Sequence, residues 1–201
     1  SSIDRIAENY GLSLILGGAE ISLFDLTQSY ASMGAILLNH DDRNNSSSTR
    51  KPYKLSYSLT EESPGINTQH LLSPASIYLT FEALRKLSRP DTEGQWQQFS
   101  SSRPIAWKTG TSYGHRDAWA VGVTPEYTIG VWVGNADGEG KHGLVGVKKA
   151  APVLFDVLNQ LPATSWFDLP ADELYLRETC INSGHLAGRY CEARDTSLLV
   201  S

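Results

Sequence analysis

The densest chemistry in the chain lies in Trp107-Lys108-Thr109-Gly110-Thr111-Ser112-Tyr113-Gly114. A cationic lysine is followed by the hydroxyls of Thr109, Thr111 and Ser112 around a glycine. An ammonium and neighbouring hydroxyls hold a carboxylate through charge-assisted hydrogen bonds, and Gly110 lets a ligand approach the backbone. If this segment is an edge strand, its free N–H and C=O groups also pair with an extended peptide. A regular pleat sends Lys108 and Thr109 to opposite faces, so both serve one ligand only at the rim of the sheet. A turn at the mouth of a hairpin, with no ligand, is the plain structural alternative.

The flanking elements must position that segment. Pro104 to Trp107 reads as a strand running into Lys108–Thr111. Asp117 to Val123 is the next strand, with Trp119, Val121 and Val123 on one face and Ala118, Ala120 and Gly122 on the other. Thr124-Pro125-Glu126 turns the chain, and Tyr127 to Gly134 returns. The face of Ala118, Ala120, Gly122 and, on the return strand, Gly130 is small enough to admit a close helix. Residues 148 to 161 supply one, with Ala150, Leu154, Val157, Leu158 and Leu161 in a single stripe.

Two earlier helices are expected. Residues 22 to 38 begin at Ser22, with Asp25 placed as in a capping box, and Leu23, Leu26, Tyr30, Met33 and Leu37 share one face. Residues 39 to 49 turn polar and read as a loop, and residues 51 to 59 as a short strand. Ser73-Pro74 starts the second helix, with Ile77, Phe81 and Leu84 inward. Basic Arg85, Lys86 and Arg89 lie at its end, and Pro90 stops it. The expected fold is α+β, an antiparallel β-sheet flanked by α-helices. Its domain spans residues 1–163, followed by a cysteine-containing tail or start of a C-terminal module over residues 164–201.

Composition narrows the function. Of 201 residues, 40% are hydrophobic and 19% charged, which is globular usage. Seventeen basic against 22 acidic residues leave a formal charge of -5 without a basic stripe, so neither nucleic acid nor an anionic membrane is an expected partner. No apolar run approaches the ~20 residues of a membrane helix. Cys180 and Cys191, with Gly184 and Gly188 between them, suit a small disulfide-closed loop. A zinc site using His185 is the alternative and lacks a fourth ligand; two reduced, packed cysteines are another. The disulfide is the expectation, with no metal and no cofactor.

Lys-Thr-Gly is the third signature of penicillin-binding proteins and related serine β-lactamases. The run 108–114, then Arg116-Asp117-Ala118-Trp119-Ala120-Val121-Gly122-Val123-Thr124-Pro125, then Thr128-Ile129-Gly130-Val131-Trp132-Val133-Gly134, resembles class A penicillin-binding proteins, and within them the type 1C branch. Leu14-Ile15-Leu16-Gly17-Gly18-Ala19-Glu20, Leu23-Phe24-Asp25-Leu26 and the tail with Cys180, Ser183-Gly184 and Cys191 resemble that branch too. The resemblance implies part of a peptidoglycan DD-transpeptidase with a penicillin-binding transpeptidase fold. Its partners would be stem peptides ending in D-Ala–D-Ala and the β-lactams that imitate them. By that resemblance Lys108 would take the catalytic role of holding the substrate carboxylate and setting the local field. Thr109, Gly110, Thr111 and Ser112 would form the substrate-binding set, and the N–H of Thr111 would be half of an oxyanion hole, one such donor being worth ~3 kcal/mol. A periplasmic location follows from the same resemblance, in a parent protein that also carries a glycosyltransferase.

The pattern departs from the family in one respect. It requires Ser-x-x-Lys and Ser-x-Asn, and no Ser-x-Asn occurs in these 201 residues. Ser48-Thr49-Arg50-Lys51 matches the first by spacing, yet it sits in a polar stretch and Pro52 disfavours helix at the lysine. The expectation is therefore a chain lacking the nucleophile segment, inactive by itself and completed by the missing N-terminal part of the transpeptidase domain. A non-catalytic cell-wall scaffold with the same fold is the alternative; a β-lactamase fits less well, since no residue can be assigned to activate water. Gly134 to Lys141 fails as a phosphate loop because Asn135 stands where glycine is needed. Arg116 and Asp117 read as a local ion pair at the hairpin entrance.

Overall fold

The computed structural model describes residues 20–44, 72–87 and 103–200. The expected strand at 51–59, the Ser48–Lys51 match, Pro90 and the 14–19 run lie outside the described residues. Helix α1 spans Leu23–Asn44 and α2 Pro74–Arg85; strands β1 (Ala106–Thr111), β2 (Asp117–Val123) and β3 (Thr128–Gly134) follow, then α3 (Gly146–Gln160) and strands β4 (Leu174–Cys180) and β5 (Arg194–Val200). The fold is α+β, with antiparallel sheets and helices on both faces of the first.

Local signals set the helix starts. The Ser22 hydroxyl accepts the Asp25 N–H at 3.1 Å and donates to its carboxylate at 2.7 Å. Ser73 caps α2 by accepting the Ser76 N–H at 3.2 Å, with Pro74 in the first turn where its missing N–H costs nothing. Helix α1 runs on through Asn44 where a loop was expected. The reason is tertiary: His40 is held by Asp172, 132 residues away, with Nε2 donating to Oδ1 at 2.8 Å.

Among the described residues three strands form one antiparallel sheet in the order β1-β2-β3, which makes β1 an edge strand of that set. Ala106 pairs with Val123 and Thr111 with Ala118; Asp117 pairs with Gly134 and Val123 with Thr128. The register gives the two faces distinct covers. Trp107, Ala118, Ala120, Ile129 and Val131 face α3, where Ala150, Ala151, Leu154 and Leu158 complete one core. Ala106 and Val123 face α1 and α2 and join Leu37, Ile77, Phe81 and Phe167 in a second.

Two details of the expected packing change. Gly130 pairs with Val121, not with the Ala118 set, and so lies under α1, where an added Cβ would strike the Thr27 hydroxyl and approach Leu23 at 3.1 Å. The cause is the two-residue turn Pro125-Glu126 closed by Thr124 N–H on the Tyr127 carbonyl at 2.8 Å, which pairs odd positions of β2 with even positions of β3. On α3 it is Ala151 that turns inward, while Val157 stays 41% exposed.

Trp166 and Phe167 continue the packed unit beyond residue 163. Phe167 is 4% exposed in the second core, and the Trp166 indole donates to Glu82 at 2.6 Å. The Glu173 carboxylate accepts the Ala75 N–H at 3.0 Å at the start of α2. After Glu173 the chain forms the separate two-stranded sheet of β4 and β5. Among the described residues, no helix is long and apolar enough to cross a membrane.

Candidate functional site

Strand β1 carries the predicted site residues, and the phase of its ladder decides which backbone groups are free. The Ser112 N–H donates to the Asp117 carbonyl at 3.0 Å. Antiparallel partners alternate between bonded and non-bonded pairs, so Gly110 and Lys108 bond to β2 opposite Trp119 and Val121. Trp107, Thr109 and Thr111, opposite Gly122, Ala120 and Ala118, direct their N–H and C=O groups out from the sheet edge. The amide of Thr111 and the carbonyl of Thr109 therefore line the outer rim.

The side chains leave the strand on opposite faces. Lys108 is exposed and lies on the face of α1 and α2, opposite Val121. Its ammonium bends along the strand and donates to the Thr109 carbonyl at 2.6 Å. That contact places the cation at the outward edge, although the pleat starts it on the face opposite Thr109 and Thr111.

The hydroxyls differ in what they hold. Thr111 Oγ1 accepts the N–H of Gly146, the first residue of α3, at 3.0 Å. Ser112 Oγ accepts the Asp117 N–H at 2.8 Å, so it ties the β1–β2 turn. Thr109 Oγ1 has no hydrogen-bond partner among the described residues and is half-buried. The site set 108–112 is thus divided: Lys108, Thr109 and Thr111 present groups to the rim, and Ser112 shapes the turn.

A second loop braces this turn from behind. His115 has φ 54°, Gly114 φ 77°. The Lys141 N–H donates to the His115 carbonyl at 3.0 Å, and the His115 ring lies 3.3 Å from the Leu144 carbonyl through Nδ1. Gly140 sits so close that a Cβ there would overlap the Gly114 carbonyl. Asp117 orders the hairpin entrance by accepting the Trp132 indole N–H at 2.8 Å, in place of the ion pair with Arg116 that the sequence suggested. Gly146 was not singled out by the sequence; it stands 35 residues from Thr111 and carries no local signal.

Burial pushes the Tyr30 phenol up; burial and then the Glu82 charge do the same for Tyr78. The hydrogen bond from His40 holds Asp172 below the ordinary carboxylate range. Cys180 and Cys191 are joined as a disulfide with Cα atoms 5.8 Å apart, so neither sulfur is available to zinc. Among the described residues, no group of three or more His, Cys, Asp or Glu side chains is placed to hold a metal.

No family model matches the chain. It is 33% identical to penicillin-binding protein 1C of Escherichia coli over 167 residues, covering 80% of this chain and 18% of that protein. It is 35% identical to penicillin-binding protein 1A of Clostridium acetobutylicum over 69 residues, 34% of this chain and 8% of that protein. The chain thus spans under a fifth of the curated relatives it matches. A crystal structure of penicillin-binding protein 1A from Haemophilus influenzae superposes with a TM-score of 0.47 at 20% identity, over 65% of this chain and 21% of that one.

Proposed function

We propose that this chain, homologous to penicillin-binding proteins over 80% of its own length, supplies one wall of the acylation cleft of a peptidoglycan DD-transpeptidase. What supports the reading is β1, an edge strand among the described residues, with the Lys108 ammonium on the Thr109 carbonyl, an outward Thr111 amide, and the Thr109 and Thr111 side chains together on the adjoining face.

In this reading a stem peptide ending in D-Ala–D-Ala lies along β1 as an added strand. Its terminal carboxylate meets Lys108 and the two threonine hydroxyls. The Thr111 amide points at the carbonyl oxygen of the scissile bond, where negative charge develops. A serine from a segment bearing Ser-x-x-Lys attacks that carbonyl carbon, and its proton passes to the neighbouring base. The C–N bond breaks, the terminal D-alanine departs as a protonated amine, and an acyl ester remains for the amine of a second stem. A β-lactam presents a carboxylate and a strained amide in the same places. A periplasmic site of action, and a glycosyltransferase within the whole enzyme, belong to the same proposal.

The test is a fluorescent penicillin mixed with the 201-residue chain. The expected result is reversible binding weakened by Lys108→Ala, with no adduct surviving denaturation. An adduct at Ser48 would overturn the assignment of the nucleophile to another segment. Reversible binding indifferent to Lys108 would overturn the rim as a carboxylate site.

A further inference from the structure

Thr111 and Gly146 are bound in a way that the carboxylate reading does not by itself require. The Gly146 N–H donates to Thr111 Oγ1 at 3.0 Å. A hydroxyl has one proton and two acceptor lone pairs. With the Gly146 amide donating into one lone pair, one lone pair and the proton of Thr111 Oγ1 remain, and the proton is directed away from Gly146. A rotor that would otherwise act as donor or acceptor is thereby biased towards donating, which suits a carboxylate, whose oxygens only accept, better than a carboxamide, which accepts at one atom only.

The approach that allows this depends on Gly146 having no side chain. A Cβ at Gly146 would collide with the Gly110 carbonyl oxygen, come within 2.8 Å of the Trp119 carbonyl oxygen and within 3.1 Å of Thr109 Cβ. Two of those obstacles are backbone of paired strands, which cannot yield without moving the ladder. Any larger residue pushes the start of α3 away from β1, and the amide with it.

We infer that Gly146 is a positioning residue for acid recognition: through its amide it fixes the Thr111 hydroxyl as a hydrogen-bond donor towards the substrate carboxylate. The inference rests on the carboxylate reading of β1. It also predicts a cooperative signature. When Thr111 donates to an anion its oxygen becomes a better acceptor, which strengthens the bond from Gly146.

The test uses the 201-residue chain, N-acetyl-D-alanine as the acid probe and N-acetyl-D-alaninamide as its uncharged counterpart, followed by amide NMR. The expected outcome is a preference for the acid, with the Gly146 amide proton moving downfield on adding the acid and not the amide. Thr111→Val should lower the acid preference about tenfold, the size of one charge-assisted hydrogen bond, and Thr111→Ser should restore it. Gly146→Ala, checked for folding by circular dichroism, should lower the preference similarly. An unmoved Gly146 amide, or a folded Gly146→Ala chain with full preference, would overturn the inference while leaving the rim a carboxylate site. If the wild-type chain does not prefer the acid, the carboxylate reading fails and this inference with it. Should Gly146→Ala not fold, the amide shift and the valine and serine variants decide the matter.

Discussion

Phe167 packs on Phe81 with ring centroids 5.3 Å apart, and this contact carries the chain from the end of α3 back into the core beneath α1. Gly34 lies beside it, with Phe167 Cζ 3.4 Å from where a Cβ would stand, an ordinary packing distance. The neighbouring Trp166 is anchored by Glu82, which also takes Arg85 at 2.7 Å, and the Arg85 guanidinium sits 4.6 Å above the indole. The polypeptide after Pro162 is therefore part of what holds α2 against β1.

Removing that ring should show its contribution. Phe167→Ala empties a fully packed site, and such truncations cost about 3–5 kcal/mol. Urea unfolding followed by tryptophan fluorescence should show a midpoint lowered accordingly. A loss below 1 kcal/mol would mean that residues 164–173 are a loosely attached tail.

Gly130 tests the closeness of α1 to the sheet. Gly130→Ala forces its Cβ against the Thr27 hydroxyl, with Thr27 Cβ only 3.2 Å away. Overpacking of this kind costs about 1–3 kcal/mol. Adding Thr27→Ala should recover most of the loss, and simple additivity in the double-mutant cycle would contradict the contact.

The tie between His40 and Asp172 makes one contribution to stability pH-dependent. The hydrogen bond from His40 lowers the Asp172 carboxyl from its ordinary value. A carboxylate lowered on folding stabilises above its unfolded pKa of about 3.9, and loses that contribution as pH falls through the folded value. The Tm difference between wild type and Asp172→Asn should be present at neutral pH and close in acid. A difference that stays constant with pH would show that the carboxylate charge does not matter.

The cystine should act locally. Cys180 and Cys191 enclose a short loop with a sequence separation of 11, for which chain restriction is worth about 3 kcal/mol. It joins the end of β4 to the approach to β5. Reduction should speed amide exchange across Leu174–Cys180 and Arg194–Val200 while leaving Asp117–Val123 unchanged. Equal acceleration in both sheets would contradict a separate two-stranded unit.

Local chemistry made much of this architecture legible. Ser22 with Asp25, and Ser73 with Pro74, mark helix starts by capping alone. The alternation in 117–123 marks a strand whose small face receives α3. The candidate site strand stands out in the sequence because Lys108, Thr109 and Thr111 concentrate donors at one place. What escaped depends on partners distant in sequence. The last turns of α1 are polar, and His40 is held there by Asp172. The face of Gly130 follows from the register that a two-residue turn imposes. The roles of Ser112 and Gly146 come from hydrogen bonds to Asp117 and Thr111 that no spacing rule reveals.

The central claim is that the free edge of β1 receives a peptide carboxylate. The most direct measurement is amide NMR of the 201-residue chain titrated with N-acetyl-D-alanyl-D-alanine, in wild type and Lys108→Met. The account predicts shifts centred on the amides of Thr109 and Thr111 and affinity at least about fivefold weaker in the variant, as expected when one charged hydrogen-bond donor is lost. Shifts centred elsewhere, or equal affinity in the two proteins, would contradict it.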